Sequence, residues 1–399
     1  MEEGSRVLIA LLVVFASGKI AGELFERLKQ PGVIGELLAG IVIGPGLLGW
    51  VHPSETLSTV ATMGVIVLMF AVGLETRPTA LFKVGLRALA VGSAGIVLPM
   101  AAGYWFGMML GLGSPESIFI GTALVATSVG VTARVLADRG YLSTTEARII
   151  LAAAVIDDVL GMLVLSFAVG SSRGGVDVTK MAILVAQVAL FVGFELWLAP
   201  IIVKRHGHWL DRLKLPNAGF VVALIVMLGM AAVSEAIGLA GIIGAFFAGM
   251  MFSETEDRWE LSRQSRPLYE WLVPYFFVVT GMQVQPSLFR SPAVLVPGLV
   301  LAVLAVLTKV VGCGLGGWGM GWKRMIVVGV GMVPRGEIGL IIASAGLSMK
   351  VIGDASYAMI ILVVVITTVV VPPLLAVVFP WATGETPHPV DIDTDEVIA

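Results

Sequence analysis

The sequence predicts an all-α polytopic membrane protein of about 13 spans, arranged as two oppositely oriented halves that each contain an interrupted helix. Three observations predict it. Of 399 residues, 57% are hydrophobic and only 13% charged, where a soluble domain has roughly a quarter charged; mean hydropathy is +0.97. Apolar runs of membrane-crossing length recur from end to end. Two of those runs are broken by polar and helix-breaking residues at corresponding places in the two halves.

A span needs ~20 mostly apolar residues. That rule places helices near 6–28, 33–51, 57–74, 85–110, 117–138, 147–170, 181–203, 217–236, 239–253, 268–284, 292–316, 324–349 and 355–380. The first is expected to be a retained helix rather than a signal peptide, because "MEEGSR" is more acidic than basic and no small-residue cleavage site ends the apolar part. The ninth is short. Residues 381–399 are expected to form a short acidic tail.

Loop charges orient the spans, since cytoplasmic loops are enriched in Lys and Arg. The segments "ERLKQ", "TRPTALFKVGLR", "ARVLADRGYLSTTEAR", "KRHGHWLDRLK", "DRWELSRQSR" and "WKR" hold 17 basic residues, and the opposite side holds 5. The N-terminus is therefore expected outside and the C-terminus inside.

Composition also excludes. The net charge of −3 and the absence of a basic stripe argue against nucleic acid as a partner. The single cysteine, Cys313, permits no disulfide framework or thiolate cluster within one chain. The four histidines fall outside the expected spans without metal-ligand spacing. "GCGLGG" (Gly312 to Gly317) matches a dinucleotide fingerprint, yet no strand precedes it. Small residues that let helices pack closely explain it better. With no phosphate-binding Gly-rich loop ending in Lys-Ser/Thr, ATP-driven pumping by this chain is not expected.

The mid-membrane charges carry the chemistry. Between Ile149 and Phe167 the only charged residues are Asp157 and Asp158. Lys309 lies in the eleventh span, Arg335 and Glu337 in the twelfth, while Lys19 and Glu23 come late in the first. An Asp or Lys at a helix centre costs ~2.5–3.5 kcal/mol on the insertion scale, so it faces a cavity or a partner. Adjacent helical residues are rotated by ~100°, so one aspartate can meet a partner helix while the other lines a cavity. Lys309 is the natural partner for one of them, and pairing keeps both groups charged. The other carboxylate can hold a proton or a metal cation, not both. Mutual exclusion at one site is the minimal physics of a cation/proton exchanger.

The fifth span holds "ATSVGVTARVL", with Thr127, Ser128, Gly130 and Thr132 where a span should be most apolar. The twelfth holds "GVGMVPRGEIGL", where Pro334 removes a backbone donor. Interrupted spans in corresponding positions mark the site of inverted-repeat transporters, and spans five and twelve are an odd number apart. Half-helix carbonyl ends favour cations and amide ends favour anions. Glu337 could offset the positive ends, Arg335 the negative ones. Freed carbonyls and the Thr127 and Ser128 hydroxyls could help hold a dehydrated cation.

"TALVATSVGVTARVL", "AAVIDDVLGMLVL", the lone Lys309 and "GVGMVPRGEIGLIIA" resemble the signature segments of the bacterial monovalent cation/proton antiporter family, nearest to NapA-type Na+/H+ antiporters. "QPGVIGELLAGIVIGPGLLG" and "MFAVGLETR" fit as well, and the resemblance runs from about residue 7 to 380. It implies an NhaA/NapA-like fold with discontinuous crossing helices, in a prokaryotic cytoplasmic membrane. Asp158 would be the alternating cation and proton carrier, with Asp157 paired to Lys309. Thr127 and Ser128 would lie at the crossing, Glu337 near the second break. The resemblance further implies a homodimer, with a dimer domain from about 6–74 and 217–284, a core domain from about 85–170 and 292–380, and a linker helix at about 181–203. Transport would be an elevator-like shift of the core. No cofactor is expected, only transported Na+ or Li+ and protons. Asp–Asp with a lysine favours electrogenic exchange, two protons per sodium ion, whereas electroneutral members carry Asn–Asp and potassium-efflux relatives Gln–Asp.

Other readings fit less well. An intramembrane aspartyl protease needs both carboxylates on one water, which neighbours on a regular helix do not provide, so no enzyme is expected. A cation channel could use the acids, but a lysine partner and two broken helices suit alternating access better. K+/H+ exchange on the same fold is the nearer alternative, because charge and length do not rank Na+, Li+ and K+.

Overall fold

The computed structural model describes residues 3–172, 178–194, 215–284 and 291–384. Among them every regular element is helical. The first half contains α1 (Glu3–Arg27), α2 (Gly32–Ile43), α3 (Glu55–Leu74), α4 (Pro78–Met109), α5 (Ser114–Val125), α6 (Val129–Asp138) and α7 (Thr145–Ser172). Next come α8 (Val178–Gly193), α9 (Ala218–Ala236), α10 (Gly241–Phe252) and α11 (Leu261–Met282). Then follow α12 (Pro292–Gly316), α13 (Trp322–Gly331), α14 (Glu337–Ser348) and α15 (Asp354–Thr383). Eight segments of the described chain are long and apolar enough to cross a membrane, counting α5 and α6 as one. This is a multi-pass membrane protein.

Several ends differ from the sequence expectation for local reasons. The second span stops at Ile43 instead of reaching 51, because Gly44 precedes Pro45 and takes an extended conformation (φ −70°, ψ 178°). α4 begins at Pro78, a residue whose missing N–H costs nothing in a first turn. α11 starts earlier than expected and tolerates Pro267 and Pro274 inside it. The expected linker is described only to residue 194, and residues 385–399 of the expected tail lie outside the described part.

The helices pack in two groups. α1, α2, α3, α9, α10 and α11 contact one another, as do α4, α5, α7 and α12 to α15. α6 touches both groups, with α2 and α3 on one side and α7 and α15 on the other. Lipid gives no hydrophobic drive between helices, so close backbone approach must supply the contact. Gly40 of α2 and Gly281 of α11 show how: a Cβ on Gly40 would lie 3.0 Å from the Cα of Gly281, and one on Gly281 would lie 3.1 Å from that of Gly40.

Candidate ion site

Two helix interruptions build the site. α5 ends at Val125, and Ala126 turns to φ −52°, ψ 135°. Ser128, also extended, opens α6. In the other half α13 ends at Gly331 and α14 begins at Glu337, with Pro334 unable to donate between them. The two interruptions meet, and donors at the first satisfy carbonyls that the second leaves without a helical partner. The Ser128 N–H donates to the Pro334 carbonyl at 2.7 Å. The hydroxyl of Thr127 donates to the Met332 carbonyl at 3.3 Å, and that of Thr132 to the Gly331 carbonyl at 2.7 Å. Gly336 permits the approach, since a Cβ there would lie 2.5 Å from Ser128 Oγ and 2.8 Å from its Cβ.

Lys309, on α12, is wholly buried and uses all three of its donors. Its Nζ donates to Asp157 Oδ1 at 2.8 Å, to the Val125 carbonyl at 2.8 Å and to the Gly95 carbonyl at 3.0 Å. Val125 supplies a carbonyl that α5 leaves orphaned at its C-terminal end. The lysine therefore closes a half-helix end as well as pairing an acid. Asp157 Oδ2 has no hydrogen-bond partner among the described residues. Asp158, one residue on, is 3% exposed. Thr127 and Ser128 are likewise buried.

Arg335, also wholly buried, lies in the second interruption. Its backbone N–H donates to Thr367 Oγ1 at 3.2 Å and its carbonyl accepts from the Thr368 hydroxyl. Nη1 donates to the Met332 carbonyl at 3.5 Å, just past the C-terminal end of α13. The guanidinium also feels the field of Asp157. Glu337 forms the first residue of α14, and its side chain lies outside the described part of the structure.

A second buried ionic cluster is one that the sequence does not reveal. Glu36 of α2 is 3% exposed and Arg134 of α6 9%, although the loop charges include Arg134 and the mid-membrane set omits Glu36. Arg134 Nε meets Asp138 Oδ2 at 2.7 Å, and its Nη2 lies 3.9 Å from Glu36 Oε1. Its guanidinium stacks over the Tyr269 ring of α11 at 4.9 Å, and the Tyr269 hydroxyl donates to Asp138 Oδ1 at 3.3 Å. The one legible signal is Glu36 itself, an acid inside the apolar run 32–43.

This architecture, two interrupted helices meeting beside a buried lysine–aspartate pair, can be set against known proteins. The transmembrane sodium/hydrogen exchanger family matches residues 8–381. The chain belongs to that family. This exchanger is thus a transporter and not an enzyme. It is 38% identical over 356 residues to the Na(+)/H(+)-K(+) antiporter GerN of Bacillus cereus, covering 88% of this chain and 90% of the relative. It is 33% identical to the high-affinity Na(+)/H(+) antiporter NhaS3 of Synechocystis, covering 98% of this chain and 93% of that one. The solved sodium proton antiporter MjNhaP1 of Methanocaldococcus jannaschii superposes with a TM-score of 0.67 at 19% identity, over 95% of this exchanger and all of that chain. At that identity the superposition speaks for the shared fold.

Proposed function

We propose that this exchanger moves Na+ or Li+ against protons across a prokaryotic cytoplasmic membrane, electrogenically, with two protons per sodium ion. The observation that carries the reading is the Lys309–Asp157 pair at 2.8 Å beside a second buried acid, Asp158. Asp158 carries either a proton or the cation. Cation binding there loosens the Asp157–Lys309 pair, and Lys309 gives up the second proton. Thr127, Ser128 and carbonyls freed at the interruptions complete the cation's shell, while Arg335 and Glu337 balance the half-helix ends. The helix group containing α4 to α7 and α12 to α15 serves as the mobile core. The other group forms the fixed scaffold and the homodimer contact, and α8 joins the two. The N-terminus faces outside, on the strength of the loop charges. The names of both bacterial relatives, which pair Na+ with H+, support sodium as substrate.

K+/H+ exchange is the second reading, favoured by the potassium in the name of the Bacillus cereus relative. Proton flux in liposomes separates the two. Na+, Li+ and K+ are added singly, with and without a clamped membrane potential, to wild type and to Asp158→Asn. Dissipation of the pH gradient by Na+ or Li+ in wild type alone upholds the proposal, and response to K+ alone transfers it to the second reading. A fully active Asp158→Asn protein would end both.

A further inference from the structure

Lys309 reaches out of α12 to a backbone carbonyl on α4, an unusual acceptor because a carbonyl inside a helix is normally occupied by the N–H four residues later. Here that residue is Pro99, which lies inside α4 and has no N–H. The proline ring also crowds the carbonyl of the residue four before it. The Gly95 carbonyl is therefore both released and turned away from its helix. In a bilayer such a released group must find another partner, and Lys309 Nζ supplies it at 3.0 Å. Gly95 itself keeps the approach open. A Cβ there would strike Cys313 Sγ and lie 3.5 Å from Lys309 Nζ.

We infer that Pro99 is a positioning residue for Lys309, reserving the Gly95 carbonyl as an acceptor for the lysine ammonium. The inference rests on the proposed role of Lys309 in carrying the second proton. Of the three acceptors around the ammonium, Asp157 is charged and is itself held only from one oxygen. The Val125 carbonyl belongs to an interrupted helix, whereas the Gly95 carbonyl is anchored in a continuous helix of 32 residues. It is the acceptor that stays with the lysine when the Asp157 pair loosens. An acceptor of this kind favours the charged lysine, so it sets how readily the proton leaves. The ionisable groups that bear on Lys309 are Asp157 from α7, which it contacts, Cys313 one turn on along α12, and Arg335 through its field on Asp157; Asp158 follows Asp157 on α7. All of them are left in place by a change at residue 99.

The test is Pro99→Ala in the full chain, reconstituted in liposomes. The new N–H can close on the Gly95 carbonyl and draw it back into the helix line. Three quantities are read: the melting temperature, hydrogen exchange at the new backbone amide of position 99, and the pH profile of Na+-driven proton flux. The expected result is a protein at least as stable as wild type, with that new amide protected. Its lysine-dependent limb moves to lower pH by about tenfold in proton concentration, the size expected for losing one hydrogen bond to a charged group. An unchanged profile with the new amide protected overturns the inference, because the carbonyl then served only packing. A Lys309→Gln arm separates this from the underlying reading. If Lys309→Gln leaves pH profile and voltage dependence unaltered, the role of Lys309 falls and the inference with it. If Lys309→Gln changes them and Pro99→Ala does not, only the role of Pro99 falls. Pro99→Ser, which restores the same N–H, repeats the test should the alanine variant fold poorly.

Discussion

Lys309 and Asp157 meet at 2.8 Å with neither side chain exposed, one from α12 and the other from α7. A buried pair of this kind is weak as a source of stability but costly to break from one side, because the survivor remains as an uncompensated charge. Lys309→Gln should therefore destabilise the protein by about 3–5 kcal/mol. The double variant Asp157→Asn/Lys309→Gln should recover most of that loss. Thermal melting of the purified proteins checks both. Transport by Lys309→Gln should be electroneutral or absent, and persistent voltage dependence there would refute the lysine's part in charge movement.

Asp158 should behave differently from its neighbour. Asp158→Asn removes the proposed carrier without breaking the Lys309 pair, so the protein should fold while cation-driven proton flux is lost. In wild type, a carboxylate that must shed its proton to take a cation predicts that apparent Na+ affinity falls about tenfold for each unit of acidification while the site is protonated. Titrating Na+ at a series of pH values measures that slope, and a flat response would remove proton competition from the mechanism.

The contact between Gly336 and Ser128 should be intolerant of a methyl group. Gly336→Ala would push against Ser128 Cβ at 2.8 Å as well as its hydroxyl, and overpacking of this kind costs about 1–3 kcal/mol. Separation of the two interruptions should lower the transport rate more than the melting temperature. Ser128→Gly added to Gly336→Ala removes the obstructing atoms. If spacing of the interruptions is what matters, the double variant should regain a larger share of stability than of rate, since the Ser128 hydroxyl has gone.

The ionic cluster of Arg134 links α6 with α2 and α11, and its members should rank by geometry. Arg134→Met leaves the buried Glu36 carboxylate without its cation, while Asp138 keeps solvent and the Tyr269 hydroxyl, and should be the most damaging, by about 3–5 kcal/mol. Glu36→Gln should be milder, as Glu36 stands 3.9 Å from the guanidinium against 2.7 Å for Asp138. Melting temperatures that fail to follow this order would mean that the cluster's energy lies elsewhere, for instance in the stacking of Arg134 on Tyr269.

The amino-acid sequence by itself determined the membrane class, the run of helical segments, the two interruptions and the mid-membrane charges Asp157, Asp158, Lys309, Arg335 and Glu337. It could do so because lipid makes each charge and each unsatisfied backbone group expensive, and the exceptions stand out along a single line of residues. Pairing between helices was not legible in that way. Residue chemistry left open which aspartate meets Lys309, and the resemblance implied Asp157. Tertiary structure shows that contact, and it alone decided that Val125 and Gly95 share the same ammonium and that Ser128 lies against Gly336. It also moved Arg134 out of the loops and into a buried cluster with Glu36. Such partners lie more than a hundred residues apart in most of these cases, and each depends on how two helices are rotated about their axes. A step of ~100° per residue sets which neighbours share a face, but the facing of that surface toward one distant helix rather than another is settled only when all of them pack.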